Sequence, residues 1–240
     1  MLVNSKKITF LSLAMLFCMA EPTYAQLIVN TSIVVFDDVN ESRKDITVMN
    51  GSDSQILYVK VEPYLVTQPG TDGQNMVLVT PANNQDFLVT PNKLIIPPKG
   101  RSIVRFLNLR DKHDDEVIYR VNFIPVDPPA ELSGDDSGEL NSRLNIVVAY
   151  QVLVIDMPVK AKSILEFERV DNQARFINTG NSNYLLVDGK QCNPVNREEC
   201  AILPDRRVYP GNSWNSELPF SGPFTYTVRN EMGNTPRYFE

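Results

Sequence analysis

The chain contains few of the residues on which enzyme active sites and metal centres are usually built. Its 240 residues include one histidine, three cysteines and one tryptophan. The motifs G-x-S-x-G and H-E-x-x-H and a glycine-rich phosphate loop are all missing from it. The single histidine, His113, lies in a run of charged residues that is typical of a solvated loop. We therefore expect no catalytic residue, no metal site, no cofactor and no small-molecule substrate.

The chain also lacks an excess of positive charge. Its 23 Lys and Arg residues against 29 Asp and Glu residues give a formal net charge of -6. An acidic protein is repelled by phosphate backbones and by anionic lipid surfaces. Nucleic acids and anionic membrane surfaces are therefore poor candidates as partners.

Apolar runs of transmembrane length are missing, and the shorter apolar run near the N-terminus predicts a signal peptide over residues 1–25. Lys6 and Lys7 precede an apolar segment from Ile8 to Ala20, and Thr23-Tyr24-Ala25 offers small residues at a cleavage site. We expect a mature chain that begins at Gln26 and is secreted or periplasmic. Removing two lysines and Glu21 changes the net charge from -6 to -7.

Two cysteines remain in the mature chain, Cys192 and Cys200, eight positions apart. In an oxidising compartment such a pair most simply forms one disulfide that closes a short loop. The only histidine is far away in sequence, which argues against a metal site at this pair.

The remaining sequence predicts an all-β protein. Short runs rich in Val, Ile, Leu, Phe and Tyr alternate with turn residues, and no long amphipathic helix pattern occurs. Their spacing is typical of an immunoglobulin-like sandwich. The strands predicted before residue 144 are Gln26–Phe36, Lys44–Asn50, Gln55–Tyr64, Met76–Thr80, Leu88–Ile96, Ser102–Leu109 and Val117–Val126.

A second, smaller set of strands follows Pro158, and we place a domain boundary there, with one domain over 26–158 and the other over 159–240. The strands of this second set are Ile164–Arg169, Gln173–Asn178, Tyr184–Asp188, Arg206–Tyr209 and Phe224–Arg229. A Pro/Gly/Ser-rich acidic loop occupies 127–143 and is long for a connection within a compact domain, which indicates mobility or function. Calcium binding by this loop stays open, although the EF-hand pattern is missing.

The segment Leu144–Pro158, LNIVVAYQVLVIDMP, predicts an unusually long strand that is apolar on both faces. Both faces of such a strand must be covered. The sequence leaves two interpretations open: a central strand of the sandwich, or a strand with one side covered by a partner.

Several of these segments together resemble the periplasmic chaperones of chaperone–usher pili, and most closely their alternate and archaic classes. The resemblance covers essentially the whole mature chain. It is carried by FLVTPNKLIIPP from Phe87, RSIVRF from Arg101, YRVNFIPV from Tyr119, the segment Leu144–Pro158, NTGN from Asn178, the Cys192–Cys200 pair and YPG from Tyr209.

The resemblance implies two immunoglobulin-like domains in tandem, set at an angle, and a function in pilus (fimbrium) biogenesis in the periplasm. In this family the last strand of the first domain completes a pilin subunit that lacks its own final strand, which is donor strand complementation. It also implies delivery of the subunit to an outer-membrane usher, and a free protein that self-caps as a homodimer. The implied donor residues are Leu144, Ile146, Val148 and Tyr150.

One departure from the family concerns the residues that anchor the C-terminal carboxylate of the subunit. Better-known members use an Arg on the first strand and a Lys late in the long strand. Here the first strand has no basic residue, and the Lys position is Leu153. Because Val117–Val126 should run antiparallel to the long strand, Arg120 is our anchor candidate. The alternative is an ordinary ion pair between Arg120 and a nearby acid such as Asp156.

Other candidates have simpler structural interpretations. Arg101 and Arg105 are weaker anchor candidates, because their strand is expected in the opposite sheet. Tyr119 is expected to stabilise the sandwich as a tyrosine-corner residue, and Trp214 to pack in the second domain. The alternative function, from another class, is a structural or adhesive surface β-sandwich, either a pilus subunit or a carbohydrate-binding module.

Overall fold

The computed structural model describes residues 27–37, 41–111, 113–127 and 148–240. The signal peptide and the first donor residues, Leu144 and Ile146, lie outside these ranges. The described residues form strands and no helix, and therefore no helix able to span a membrane. The strands are β1 Leu27–Val29, β2 Ile33–Phe36, β3 Arg43–Asn50, β4 Leu57–Thr67, β5 Asn75–Leu78, β6 Phe87–Thr90, β7 Lys93–Ile96, β8 Arg101–Asn108, β9 Val117–Val126, β10 Tyr150–Asp156, β11 Leu165–Val170, β12 Gln173–Asn178, β13 Tyr184–Cys192, β14 Cys200–Leu203, β15 Arg206–Val208, β16 Ser213–Glu217, β17 Phe224–Asn230 and β18 Gly233–Phe239.

Strands β1–β10 form a sandwich of two sheets. One sheet has the order β1-β3-β8-β6, and the other runs β2-β10-β9-β4, with β5 and β7 pairing with opposite ends of β4. Alternate side chains of both sheets meet in an apolar core in which the rings of Phe87 and Tyr119 stack 4.3 Å apart. This sandwich holds β10 between two neighbours, so its register is fixed.

Strands β11–β18 form a second sandwich with the sheets β11-β12-β16 and β14-β13-β17-β18, while β15 pairs with the other end of β13. Its core is aromatic, and Phe176 contacts the rings of Trp214, Phe224 and Phe239. The fold is therefore all-β with two immunoglobulin-like domains, as expected. The predicted boundary after Pro158 lies between β10 and β11.

Two of the predicted strands are wrong because each is divided between the two sheets of the first domain. Gln26–Phe36 is divided into β1 and β2, and the Asn30 side chain binds the N–H of Thr47 where the chain changes sheets. Leu88–Ile96 is divided between β6 and β7 at Pro91, which has no N–H to donate. Both changes of sheet fall within apolar runs, so hydrophobicity alone did not indicate them.

The predicted disulfide joins Cys192 to Cys200 across the end of the hairpin β13–β14. Closing an eight-residue loop stabilises the folded chain by roughly 2.5 kcal/mol through loss of entropy in the unfolded state. The double variant Cys192→Ser/Cys200→Ser should therefore lose about that much free energy of unfolding in a denaturant titration. The reduced wild type should match it, and an unchanged midpoint in both would contradict the prediction.

Candidate functional site: the open edge of β10 and the interdomain cleft

The first half of β10 has a free edge. Strand β9 pairs with all of Tyr150–Asp156, whereas β2 pairs only with Leu153–Asp156. The N–H of Leu153 donates to the C=O of Ser32 at 2.9 Å. Because backbone groups alternate along a strand, the N–H and C=O of Gln151 point to this same side, where no described strand pairs with them. A cleft lined by residues 29–32 and 150–152 opens at this edge.

Side chains of β10 alternate between the core and the outer face of the sheet. Val152 and Val154 are fully buried in the core of the first domain, and Tyr150 packs partly against the same core. Gln151 points outward and donates to Asn122 Oδ1 at 2.7 Å. The core of the domain therefore ends near Tyr150, at the point where the edge is open.

The four predicted donor residues lie at and before the position near Tyr150 where the core of the first domain ends. Val148 is described and its side chain is 53% exposed, although it is apolar. Tyr150 is half-buried against its own domain. Leu144 and Ile146 lie outside the described residues, so the role of this set stays a prediction.

The two domains meet on the outer face of β10, where Tyr209 of the second domain packs against Val66, Ile118 and Ile155 of the first. The turn that follows β4 also closes onto the Tyr209 ring. Gly70 in this turn has φ 78°, and a Cβ there would lie 2.8 Å from the ring. A glycine is therefore required for this close approach.

Arg120 lies on the same outer face, next to this contact. It is the cross-strand partner of Leu153, the position left without a lysine. Among the described residues it forms no salt bridge and no side-chain hydrogen bond. Burial raises the pKa of the Tyr209 hydroxyl, and the nearby cations Arg207 and Arg120 oppose this effect. The Arg120 guanidinium thus has no ionic partner among the described residues, and it lies close to a tyrosine of the other domain.

The alternative ion pair between Arg120 and Asp156 is not formed, because Asp156 has other partners. Its Oδ1 accepts a hydrogen bond from Asn108 at 2.6 Å, and its Oδ2 lies 3.0 Å from Nε2 of His113. The expectation that His113 is solvated is wrong, since its side chain is only 13% exposed. Its charged neighbours in sequence gave no signal of this contact.

Arg101 and Arg105 lie on β8, in the sheet opposite to β9 and β10, as expected. Arg105 and Arg43 both bind the carboxylate of Asp45, and they hold the pKa of that carboxyl well below its usual range. Arg105 is therefore occupied and points away from the open edge, whereas Arg120 has no such partner in the described ranges.

A polar bridge between the domains was missed by the sequence analysis. Oε2 of Glu116 accepts hydrogen bonds from the backbone N–H and the side-chain amide of Asn183, whose oxygen accepts one from Arg207. No described residue donates to Oε1 of Glu116, which is buried. Burial raises the pKa of Glu116, and the bonds from Asn183 and the charge of Arg207 only partly oppose it.

Replacing Glu116 with Gln should therefore stabilise the protein at pH 7. The folded state holds the Glu116 proton to a higher pH than the unfolded state does, so wild-type stability falls as pH rises above the ordinary glutamate pKa of about 4.3. Glu116→Gln removes this loss, so its stabilising effect should be present at pH 7 and should disappear below about pH 4. Denaturant titrations at both pH values test it. Glu217→Gln, on an exposed edge strand, is the control, and a destabilised Glu116→Gln at pH 7 would contradict the prediction.

The two aromatic residues singled out from the sequence lie in the cores. Tyr119 is buried and stacks on Phe87, and Trp214 stacks on Phe176 at 5.6 Å. These positions fit the expectation that Tyr119 and Trp214 pack inside their domains. No group of three or more His, Cys, Asp or Glu side chains within the described ranges is arranged to hold a metal.

Comparisons with known proteins agree with this architecture. No family model matches the chain. The chain is 28% identical over 169 residues to an Escherichia coli protein whose name makes it a subunit of CS1 fimbriae. The match covers 69% of this chain and 70% of that protein.

Solved structures match over most of the chain. The class 5 fimbriae chaperone CfaA superposes with a TM-score of 0.61 and 18% identity, covering 89% of this chain and 99% of CfaA. The Salmonella enterica complex of the SafA pilin with the SafB chaperone gives a TM-score of 0.62 and 14% identity, covering 91% of this chain and 98% of the matched one. This chain therefore has the two-domain immunoglobulin-like fold of the chaperones of chaperone–usher fimbriae.

Proposed function

We propose that the protein is a periplasmic chaperone that captures pilin subunits on the open edge of β10. The edge offers the N–H and C=O of Gln151, which no described strand pairs with, and, directly before it, apolar residues that remain exposed. An extended segment of a partner can add to such an edge, so that backbone hydrogen bonds hold it and alternate side chains fill its groove. The open edge is the observation that carries this proposal.

The donor residues in this proposal are Leu144, Ile146 and Val148, with Tyr150 at the boundary between the protein's own core and the partner. Each aliphatic side chain buried in the partner's groove contributes about 1.5–3 kcal/mol. The partner strand reaches only as far as Val152, because β2 occupies the edge of β10 from Leu153 onwards. The partner chain therefore ends or turns away beside Arg120.

We assign the anchor for the partner's C-terminal carboxylate to Arg120. The side chain has no partner within the described part of the chain, lies opposite Leu153 at the end of the open edge, and has the Tyr209 hydroxyl of the second domain nearby. A planar guanidinium binds a carboxylate with two parallel hydrogen bonds. The carboxylate would then be bound between Arg120 of the first domain and Tyr209 of the second domain.

The same proposal includes no catalytic step and no cofactor. Chaperones of this fold supply a strand and a surface, and the SafA–SafB complex is an example of a pilin held by such a chaperone. The predicted signal peptide and the disulfide both suit the periplasm. We further propose that the captured subunit is delivered to an outer-membrane usher, and that the free edge is capped by a second copy when no subunit is present.

The name of the E. coli relative favours a second candidate, a structural subunit of fimbriae. A subunit completed by its neighbour lacks its own last strand, whereas here β10 lies between β9 and β2 and fills the sheet of the first domain. Residues Leu153–Asp156 have strand partners on both sides. This arrangement suits a donor better than an acceptor.

Purification of the tagged protein from the periplasm of cells that are assembling pili distinguishes the two candidates. Intact-mass spectrometry of the recovered material should show a one-to-one complex with a smaller protein that carries a hydrophobic N-terminal extension. Recovery of the chain within assembled pili would favour the structural role. Recovery of the chain alone would count against both capture and delivery.

A further inference from the structure

His113 connects three segments of the chain at the junction of the two domains. Its Nε2 lies 3.0 Å from Oδ2 of Asp156, the last residue of β10. Its Nδ1 lies 2.6 Å from the C=O of Asp115. Its own C=O accepts the N–H of Val159 in the interdomain linker at 3.2 Å. The loop between β8 and β9 is thereby attached both to β10 and to the linker.

These contacts require one proton more than neutral histidine and ionised aspartate carry together. A carbonyl oxygen only accepts, so Nδ1 must carry a proton. The contact between Nε2 and Oδ2 then needs a second proton, either on Nε2 or on the carboxyl. No other described residue donates to Oδ2. Without the second proton, the lone pair of Nε2 faces a carboxylate and the contact becomes repulsive.

The carboxyl and the imidazole that share this proton are both largely buried. Asp156 is 4% and His113 13% exposed in their side chains. Burial raises the pKa of Asp156, and the nearby His113, Asn108 and Arg110 oppose it. The other charged groups that line the cavity around the pair are Asp37 after β2, Glu41 before β3, and Asp111 in the β8–β9 loop.

We propose that His113 and Asp156 form a proton-dependent clamp that fixes the β8–β9 loop and the interdomain linker to the end of β10. His113 is a positioning residue in this scheme, acting through Asp156 and Val159. When the shared proton is lost, the loop releases the linker at Val159. The inference is independent of the proposed function, because every contact lies within one chain.

The test uses the mature full-length protein, in which His113 is the only histidine. Nitrogen-15 labelling of histidine therefore gives one ring, and its signals report the proton on each ring nitrogen. Hydrogen exchange of the Val159 amide, followed over the same pH series, reports the clamp. The protection factor of the Val159 amide should fall at least about tenfold over the pH interval in which the pair loses the shared proton. Constant protection through that interval would overturn the proposal.

Asp156→Asn separates the clamp from an ordinary structural contact. The asparagine amide can donate to neutral Nε2, so no extra proton is needed, and Val159 should stay protected at all pH values tested. A merely structural role for Asp156 would instead leave the pH dependence in place or lower protection throughout. Asp111→Asn also replaces a carboxylate by an amide in this cavity, but it leaves the contact between His113 and Asp156 unchanged. The protection of Val159 should therefore keep the pH dependence of the wild type. The wild-type measurement stands even if Asp156→Asn fails to fold.

Discussion

Subunit capture should be lost when Ile146 and Val148 are both replaced by Asp. Each side chain would otherwise be buried in the partner, and together they contribute about 3–6 kcal/mol, or roughly two to four orders of magnitude in affinity. Two carboxylates placed in an apolar groove add a desolvation penalty. Because Val148 is 53% exposed in the free protein, its replacement should change the free energy of unfolding by no more than about 0.5 kcal/mol. Titration with the co-purified pilin measures the affinity.

The control for this variant places the same two charges elsewhere on the first domain. Ile95 and Val126 are exposed apolar residues, and both are cross-strand partners of Tyr58 on the outer face of the sheet that contains β10. Ile95→Asp/Val126→Asp therefore changes net charge and surface hydrophobicity equally without touching the free edge of β10. It should bind the pilin like the wild type. Wild-type affinity in Ile146→Asp/Val148→Asp would remove the donor role from this segment.

The fold could be predicted from the sequence because strand and turn signals are local. Strands β9 and β12 match their predicted ranges, since β9 is mostly apolar, β12 alternates exposed and buried residues, and polar or turn residues bound both. Strands β14, β16 and β18 were missed because their side chains are largely polar or exposed, as in SWNSE of β16. The divided strands escaped detection for a different reason: a change of sheet depends on which neighbour the backbone meets, and hydrophobicity does not record this.

The positions of candidate site residues could be predicted only where they depend on the pairing register of neighbouring strands. Antiparallel pairing was enough to place Arg120 beside Leu153, and the structure has that pairing. Asp156 is three residues beyond Leu153, so its side chain points to the other face of the sheet from Arg120, where β8 and the loop after it supply its partners. Likewise, Glu116 and Asn183 are 67 residues apart, and nothing in either segment indicates that they meet. Contacts between domains are set by tertiary packing, which single-sequence patterns do not reveal.

Replacing Arg120 with Ala should weaken capture about ten- to 150-fold, while the free energy of unfolding stays close to that of the wild type. Hydrogen bonds to a charged group contribute about 1.5–3 kcal/mol, and removing Arg120 breaks no ion pair with another described residue. Arg120→Lys keeps the charge but loses the bidentate geometry, so its affinity should be intermediate. Arg105→Ala removes one positive charge from the opposite sheet and should leave capture unchanged.

A specific carboxylate anchor also predicts that binding depends on the C-terminal group of the partner, which a general electrostatic effect does not predict. A peptide that copies the last strand of the pilin should bind the wild type less tightly when its C-terminus is amidated, and by a similar factor as Arg120→Ala reduces binding of the free acid. In Arg120→Ala the amidated and free peptides should bind equally, because the interacting pair has already been broken. If amidation still weakened binding to Arg120→Ala by the full factor, the carboxylate would be held by another group, and Tyr209→Phe would be the next variant to measure.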